Sequence, residues 1–165
     1  MDALKYNSEP PILPASFSMY TVNRSALVMH SAEQMYQLVN DVGAYGDFLP
    51  WCSGSEVISE SEQEMVATVT IAFKGLSKSF TTRNQLIRNQ ETRMQLVDGP
   101  FSELSGVWTY TELSDSASKI ELNLEFGFSN KILAAAIGPV FHSIADSMVD
   151  SFSRRADELY GTGSI

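Results

Sequence analysis

The sequence predicts an α+β domain. Its sheet is a curved antiparallel one of about seven strands, wrapped around a long C-terminal helix, with short helices after the first strand. Three observations predict this. Between Ser53 and Phe128 the chain divides into strand-like segments separated by turn residues. The last of them, "KIELNLEFGF", alternates strictly, with Ile120, Leu122, Leu124, Phe126 and Phe128 on one face and Glu121, Asn123 and Glu125 on the other. Such alternation marks a sheet with one covered and one wet face. After it the period changes: Leu133, Ile137, Val140, Phe141, Ile144, Met148 and Phe152 form one helical stripe.

In chain order, residues 1–17 are expected to be an irregular tail, because Pro10, Pro11 and Pro14 suit neither a helix interior nor a sheet centre. A single domain is expected over 18–160, and a short tail over 161–165. "MYTVNRSALVM" is the first strand. Ser31 is an N-cap and Gln34 completes a capping box for a short helix burying Met35, Leu38, Val39 and Val42. That helix should stop by Gly43, and a second brief turn should carry Tyr45 to Leu49, since Pro50 disfavours helix before it. "SGSEVISES", "MVATVTIAF", "KSFTTRNQLIR", "TRMQLV" and "LSGVWTYTEL" follow as strands, with turns at "KGLS" and "SDSAS" and a break at "DGPFSE". The final helix should run from about Ser129 to Leu159, kinked or interrupted by Pro139 after Gly138.

The chain has 165 residues, 44% of them hydrophobic, enough for one domain with a core. Net charge is -9, which argues against sequence-independent binding to nucleic acid. A single cysteine cannot form an internal disulfide, and a reducing compartment is the simpler reading. No apolar run approaches the ~20 residues needed to span a bilayer. The first residues lack the basic start and apolar centre of a signal peptide. Together these predict a cytoplasmic protein.

One helix laid across a curved sheet touches its centre and leaves space towards the ends. The expected result is an apolar cavity between them. Its candidate lining is Phe73, Phe80, Leu96, Trp108, Leu122, Leu124 and Phe126 from the strands, with Val140, Phe141, Ile144 and Met148 from the helix. In "DVGAYGDFLPWC", Tyr45, Phe48 and Trp51 are either a lid at the mouth of that cavity, hinged at Gly43 and Gly46, or ordinary core. Cys52 reads as a small buried hydrophobe, because neither His30 nor His142 is placed by sequence to serve it as a base. Two histidines and one cysteine without ligand spacing exclude the usual zinc set, so no metal is expected. His142 and Asp146, four apart on the final helix, suit an exposed helical pair. Glu60, Glu62 and Glu64 suit a solvated hairpin. Lys74, Lys78, Arg83, Arg88 and Arg93 form a local basic stretch in an acidic chain. It suits either an anionic partner, ribosomal RNA or a membrane surface, or a positively charged sheet edge that resists aggregation.

Several segments, in order, resemble a known family: "SALVMHSAEQMYQLVNDVGAYGDFLPWCSGSEV", "FKGLSKSFTTRNQL", "DGPFSELSGVWTY" and "ELNLEFGFSNKIL…IGPVFHSIADSMVDSFSRRA". They are similar to the START-like, helix-grip proteins of the coenzyme Q-binding type, whose bacterial branch includes the ribosome association toxins. The wider superfamily is polyketide cyclase/dehydrase and lipid transport. The resemblance spans about Met19 to Tyr160. It implies a helix-grip fold and two activities. The leading one is binding of ubiquinone or another polyprenyl lipid in support of respiration, with no required cofactor. The other is association with the large ribosomal subunit that hinders subunit joining. Cyclase-type catalysis is a third reading, and the sequence offers no acid, base and nucleophile set for it.

Overall fold

The computed structural model describes residues 19–162, so the expected tails lie largely outside the described residues. Seven strands form one antiparallel sheet: β1 (Tyr20–Val28), β2 (Cys52–Glu60), β3 (Glu64–Phe73), β4 (Leu76–Ile87), β5 (Glu91–Asp98), β6 (Phe101–Ser114) and β7 (Ala117–Phe128). Their order is β1-β7-β6-β5-β4-β3-β2. Strands β2 to β7 are thus a meander of adjacent hairpins, and β1 returns the chain start to β7, with Val22 opposite Leu124 and Ala26 opposite Ile120. The β3–β4 connection is two residues, Lys74 and Gly75, both at positive φ (50° and 83°), the backbone that matches the twist of a tight hairpin. Register shifts interrupt β2 twice and β6 twice, and such bulges bend and twist a strand. The sheet is therefore curved, and helices cover its concave face.

Helix α1 (Ala32–Asn40) begins as expected: Ser31 Oγ accepts from Gln34 N at 3.1 Å and the Gln34 side chain accepts from Ser31 N at 3.0 Å. The turn after it is a 3-10 turn over Val42–Asp47, earlier than the sequence suggested. Strand β6 also starts earlier, at Phe101, which shortens the break after β5.

The C-terminal helix departs most from expectation. It is two helices, α2 (Lys131–Asp146) and α3 (Met148–Tyr160), bent by 42°. Pro139 sits inside α2 without ending it. Proline removes the hydrogen bond to the carbonyl four residues back. That carbonyl belongs to Ala135, on the exposed side of α2, where water can replace the lost donor. The break comes at Ser147, whose amide is shared among the carbonyls of Ser143 and Ile144 and whose Oγ donates to Ile144 O at 2.8 Å. A serine bonding back to its own helix competes with the regular ladder and bends it.

Candidate functional site: an apolar cavity

A cavity of about 90 Å³ lies between the concave sheet face and the α2–α3 bend. Strands supply Phe80, Trp108, Leu122 and Leu124, the helices supply Phe141, Ile144 and Met148, and Tyr45 and Trp51 close it from the segment after α1. Parity explains the strand set. Phe80, Thr82 and Asn84 are alternate residues of β4, and Leu122 and Leu124 are alternate residues of β7. Helical spacing explains Phe141, Ile144 and Met148.

Four other expected lining residues lie elsewhere. Phe73 is 40% exposed at the last position of β3, beside the hairpin, where Lys74 Nζ stands 5.3 Å from its ring. Phe126 is solid core, stacked on Tyr20 at 5.0 Å and edge-on to Phe141 at 4.7 Å. Leu96 and Val140 are half-buried flanking residues that pack against the core without reaching the cavity. Alternation assigns a face but not how far along the strand the helices extend, so a position near a strand end, such as Phe73, falls outside the cavity.

The Asp41–Cys52 segment is mostly core. Tyr45 is fully buried, and its hydroxyl donates to Val39 O. Burial pushes its phenol well above the ordinary range. Phe48 points away from the cavity, edge-on to Phe152 at 5.5 Å and beneath the Arg155 guanidinium at 4.9 Å. Cys52 is buried, and its thiol donates to Gly54 O at 3.3 Å. Burial raises its pKa, which opposes the thiolate a nucleophile needs. His30 is buried and bonds Asp157 at 2.8 Å, holding the end of β1 to α3. Asp146 pairs with Arg24 at 3.0 Å instead of with His142, whose ring lies 5.7 Å from that of Tyr20.

Two polar residues, Thr82 and Asn84, line the cavity beside Met94, Val69, Ala67 and Leu104. Their inward parity was legible, but their place in the wall was not. Thr82 Oγ1 donates to Asn84 Oδ1 at 2.9 Å.

The five basic residues are not one patch. Arg83 pairs with Glu64 at 2.8 Å and Arg93 with Glu91 at 3.1 Å. Arg88 lies at the far end of β4, in a solvent-open cleft of about 650 Å³ that also holds Glu60 and Glu62. Lys74 and Lys78 sit at the β3–β4 hairpin, with no acidic partner among the described residues. No group of three or more metal-ligating side chains occurs among the described residues. Among the described residues, no single helix is long and apolar enough to cross a membrane.

Residues 28–153 match the family described as polyketide cyclase/dehydrase and lipid transport. The chain belongs to that family. It is 52% identical over 143 residues to a ribosome association toxin, RatA, of Vibrio cholerae (strain O395), covering 87% of this chain and 99% of that one. It is also 27% identical over 163 residues to a mitochondrial coenzyme Q-binding protein, COQ10 homolog B, of Xenopus laevis, covering 96% of this chain and 66% of that one. Among solved structures, the Zhui aromatase/cyclase from Streptomyces superposes with a TM-score of 0.71 at 18% identity, covering 89% of this chain and 99% of the other. At that identity the likeness concerns the fold alone.

Proposed function

We propose that this member of the polyketide cyclase/dehydrase and lipid transport family is a ribosome-associating protein that binds the large subunit and hinders subunit joining. The observation that carries the reading is the 52% identity to a ribosome association toxin over nearly the whole of both chains. The family's fold alone would not favour it, because one fold hosts many functions. The geometry supports it by limiting the rival. A cavity of about 90 Å³ is well below the roughly 300–1,000 Å³ typical of sites for drug-sized ligands. A polyprenyl quinone would need the helices to part. On this reading the protein acts by binding and not by catalysis, in the compartment that holds ribosomes, and Lys74 and Lys78 at the β3–β4 hairpin, which have no acidic partner among the described residues, are the contact to an RNA phosphate.

The test is a sucrose gradient of cells overproducing the protein. Free subunits should rise at the expense of whole ribosomes, and the protein should sediment with the large subunit. Unchanged proportions, with the protein at the top of the gradient, would overturn the proposal.

The apolar cavity favours a second reading, that the protein also holds a hydrophobic molecule. Its wall is almost wholly carbon, and Met94 and Met148 are unbranched side chains able to rotate aside for a larger group. Lipid extraction from purified protein, followed by mass analysis, tests this. A consistently empty protein counts against it.

A further inference from the structure

A second hollow, a notch of about 220 Å³, lies between α3 and the segment 48–51. Its helical wall carries Ser151, Arg154, Arg155 and Glu158, on a different face of α3 from the buried Val149, Phe152 and Ala156. Two guanidinium groups thus line one notch in a chain of net charge -9. The Arg155 guanidinium lies 4.9 Å from the centre of the Phe48 ring, which steadies its plane. Its Nη1 pairs with Glu158 at 3.2 Å, but that carboxylate is 63% exposed, and exposed one-point pairs are weak. Its Nε is buried and has no hydrogen-bond partner. Buried polar groups nearly always find a partner, and each exception calls for a reason. Arg154 is exposed and has no acidic partner among the described residues. The opposite wall is tied to the strand that ends at the hairpin lysines: Trp51 O accepts from Ala72 N at 2.8 Å, two residues before Lys74.

We infer that this notch is a phosphate site for the RNA backbone of the large ribosomal subunit, a second anchor beside Lys74 and Lys78. The inference rests on the ribosome reading above and adds residues to its contact surface. A phosphate oxygen pair takes the Arg155 fork through Nε–H and one Nη–H, which gives the orphaned donor its partner. Glu158 is displaced and swings into water. Arg154 and Arg155 leave the helix in directions about 100° apart. Tetrahedral phosphate oxygens serve both, whereas a carboxylate holds its two oxygens in one plane. The Ser151 hydroxyl supplies a further donor at the same wall, and such hydroxyls commonly bond nucleic-acid phosphates. Phosphate contacts fix orientation without reading sequence, so the notch and the hairpin together set how the protein lies on the RNA.

Binding of the full chain to purified large subunits, measured across a range of salt concentrations, tests this through effects of opposite sign. Arg155→Gln should weaken binding roughly tenfold, and Arg155→Lys should recover only part of the loss, because an ammonium keeps the charge but not the fork. Arg154→Gln should lower the slope of log K against log salt by about 0.7–0.9, one phosphate contact. Glu158→Gln should tighten binding by roughly 2–5-fold, since it frees Arg155 from a weak competitor. Glu125→Gln makes the same change of charge on the outer face of β7 and should leave binding unaltered. Arg154 and Glu158 are exposed, so those two variants give an answer even if Arg155→Gln does not fold. Binding unchanged in Arg154→Gln and Glu158→Gln, or tightened equally by Glu125→Gln and Glu158→Gln, overturns the notch and leaves the ribosome reading standing. If the unaltered protein does not bind large subunits, the ribosome reading fails and the notch falls with it.

Discussion

At Cys52 and Phe141 single side chains separate core from candidate site. Cys52 is 7% exposed and its thiol pKa is raised by burial. Alkylation by iodoacetamide at pH 8 should therefore be far slower in the folded protein than in urea, and equal rates would refute the burial. The same direction has a stability consequence. Cys52, Tyr45 and Tyr110 all bind their protons more tightly folded than unfolded. Their contribution is complete below the unfolded pKa values, ordinarily about 8.5 for cysteine and about 10 for tyrosine, and is lost as pH rises above them. The melting temperature should fall from about pH 8.5 upward, with its earliest part absent in Cys52→Ala. Phe141 has rings around it from Phe101 at 4.8 Å, Phe126 at 4.7 Å and Phe80 at 5.6 Å, and also faces the cavity. Phe141→Ala should cost about 3 kcal/mol in urea unfolding, the low end for such a truncation, because part of the ring already lacks neighbours. A cost under about 1 kcal/mol would contradict the packing.

Among the elements, α2 is fixed by a close approach. Gly138 packs against the Tyr20 ring, and a Cβ there would lie 2.8 Å from Tyr20 Cζ. Alanine is otherwise the better helix former by roughly 1 kcal/mol. The clash should outweigh that gain, so Gly138→Ala is expected to destabilise by about 1–2 kcal/mol, measured by urea unfolding. In a Tyr20→Ala background the same change should become neutral or stabilising. Destabilisation that persists there would mean that α2 is held by something other than this contact. The bend at Ser147 turns the C-terminal helices at the cavity, so that Ile144 and Ala145 reach it from α2 and Met148 from α3.

On the scale of the whole molecule, electrostatics constrains the proposed ribosome contact. A chain of net charge -9 approaches a polyanion only through a local exception. Two of the five basic residues of the β3–β5 region are held in ion pairs and a third lies in a cleft with glutamates, which leaves the hairpin lysines. Ribosome binding should weaken with salt, each phosphate contact adding about 0.7–0.9 to the slope of log K against log salt. Lys74→Glu with Lys78→Glu should reduce that slope by about 1.5 and weaken co-sedimentation. Both side chains are exposed, so stability should change by less than about 0.5 kcal/mol. An unaltered slope would place the contact elsewhere on the surface.

The sequence by itself determined the strands, their parity and the α1 cap, because period-2 alternation and a capping box are local patterns. It also determined the family, through several segments in fixed order along β1 to α3. It placed Leu122, Leu124, Phe141, Ile144 and Met148 on inward faces for the same local reason. Only the tertiary structure decided which inward residues meet across the cavity. The neighbours of Phe73 and Phe126 depend on where the helices lie over the sheet, and no period along one element encodes that. It also decided that the helix runs on through Pro139 and breaks at Ser147, since an exposed carbonyl can lose its partner to water while a hydroxyl beside it rewires the next turn. The cavity's small volume is likewise a property of packing: it is set by what fails to fill a space lined by residues distant in the chain.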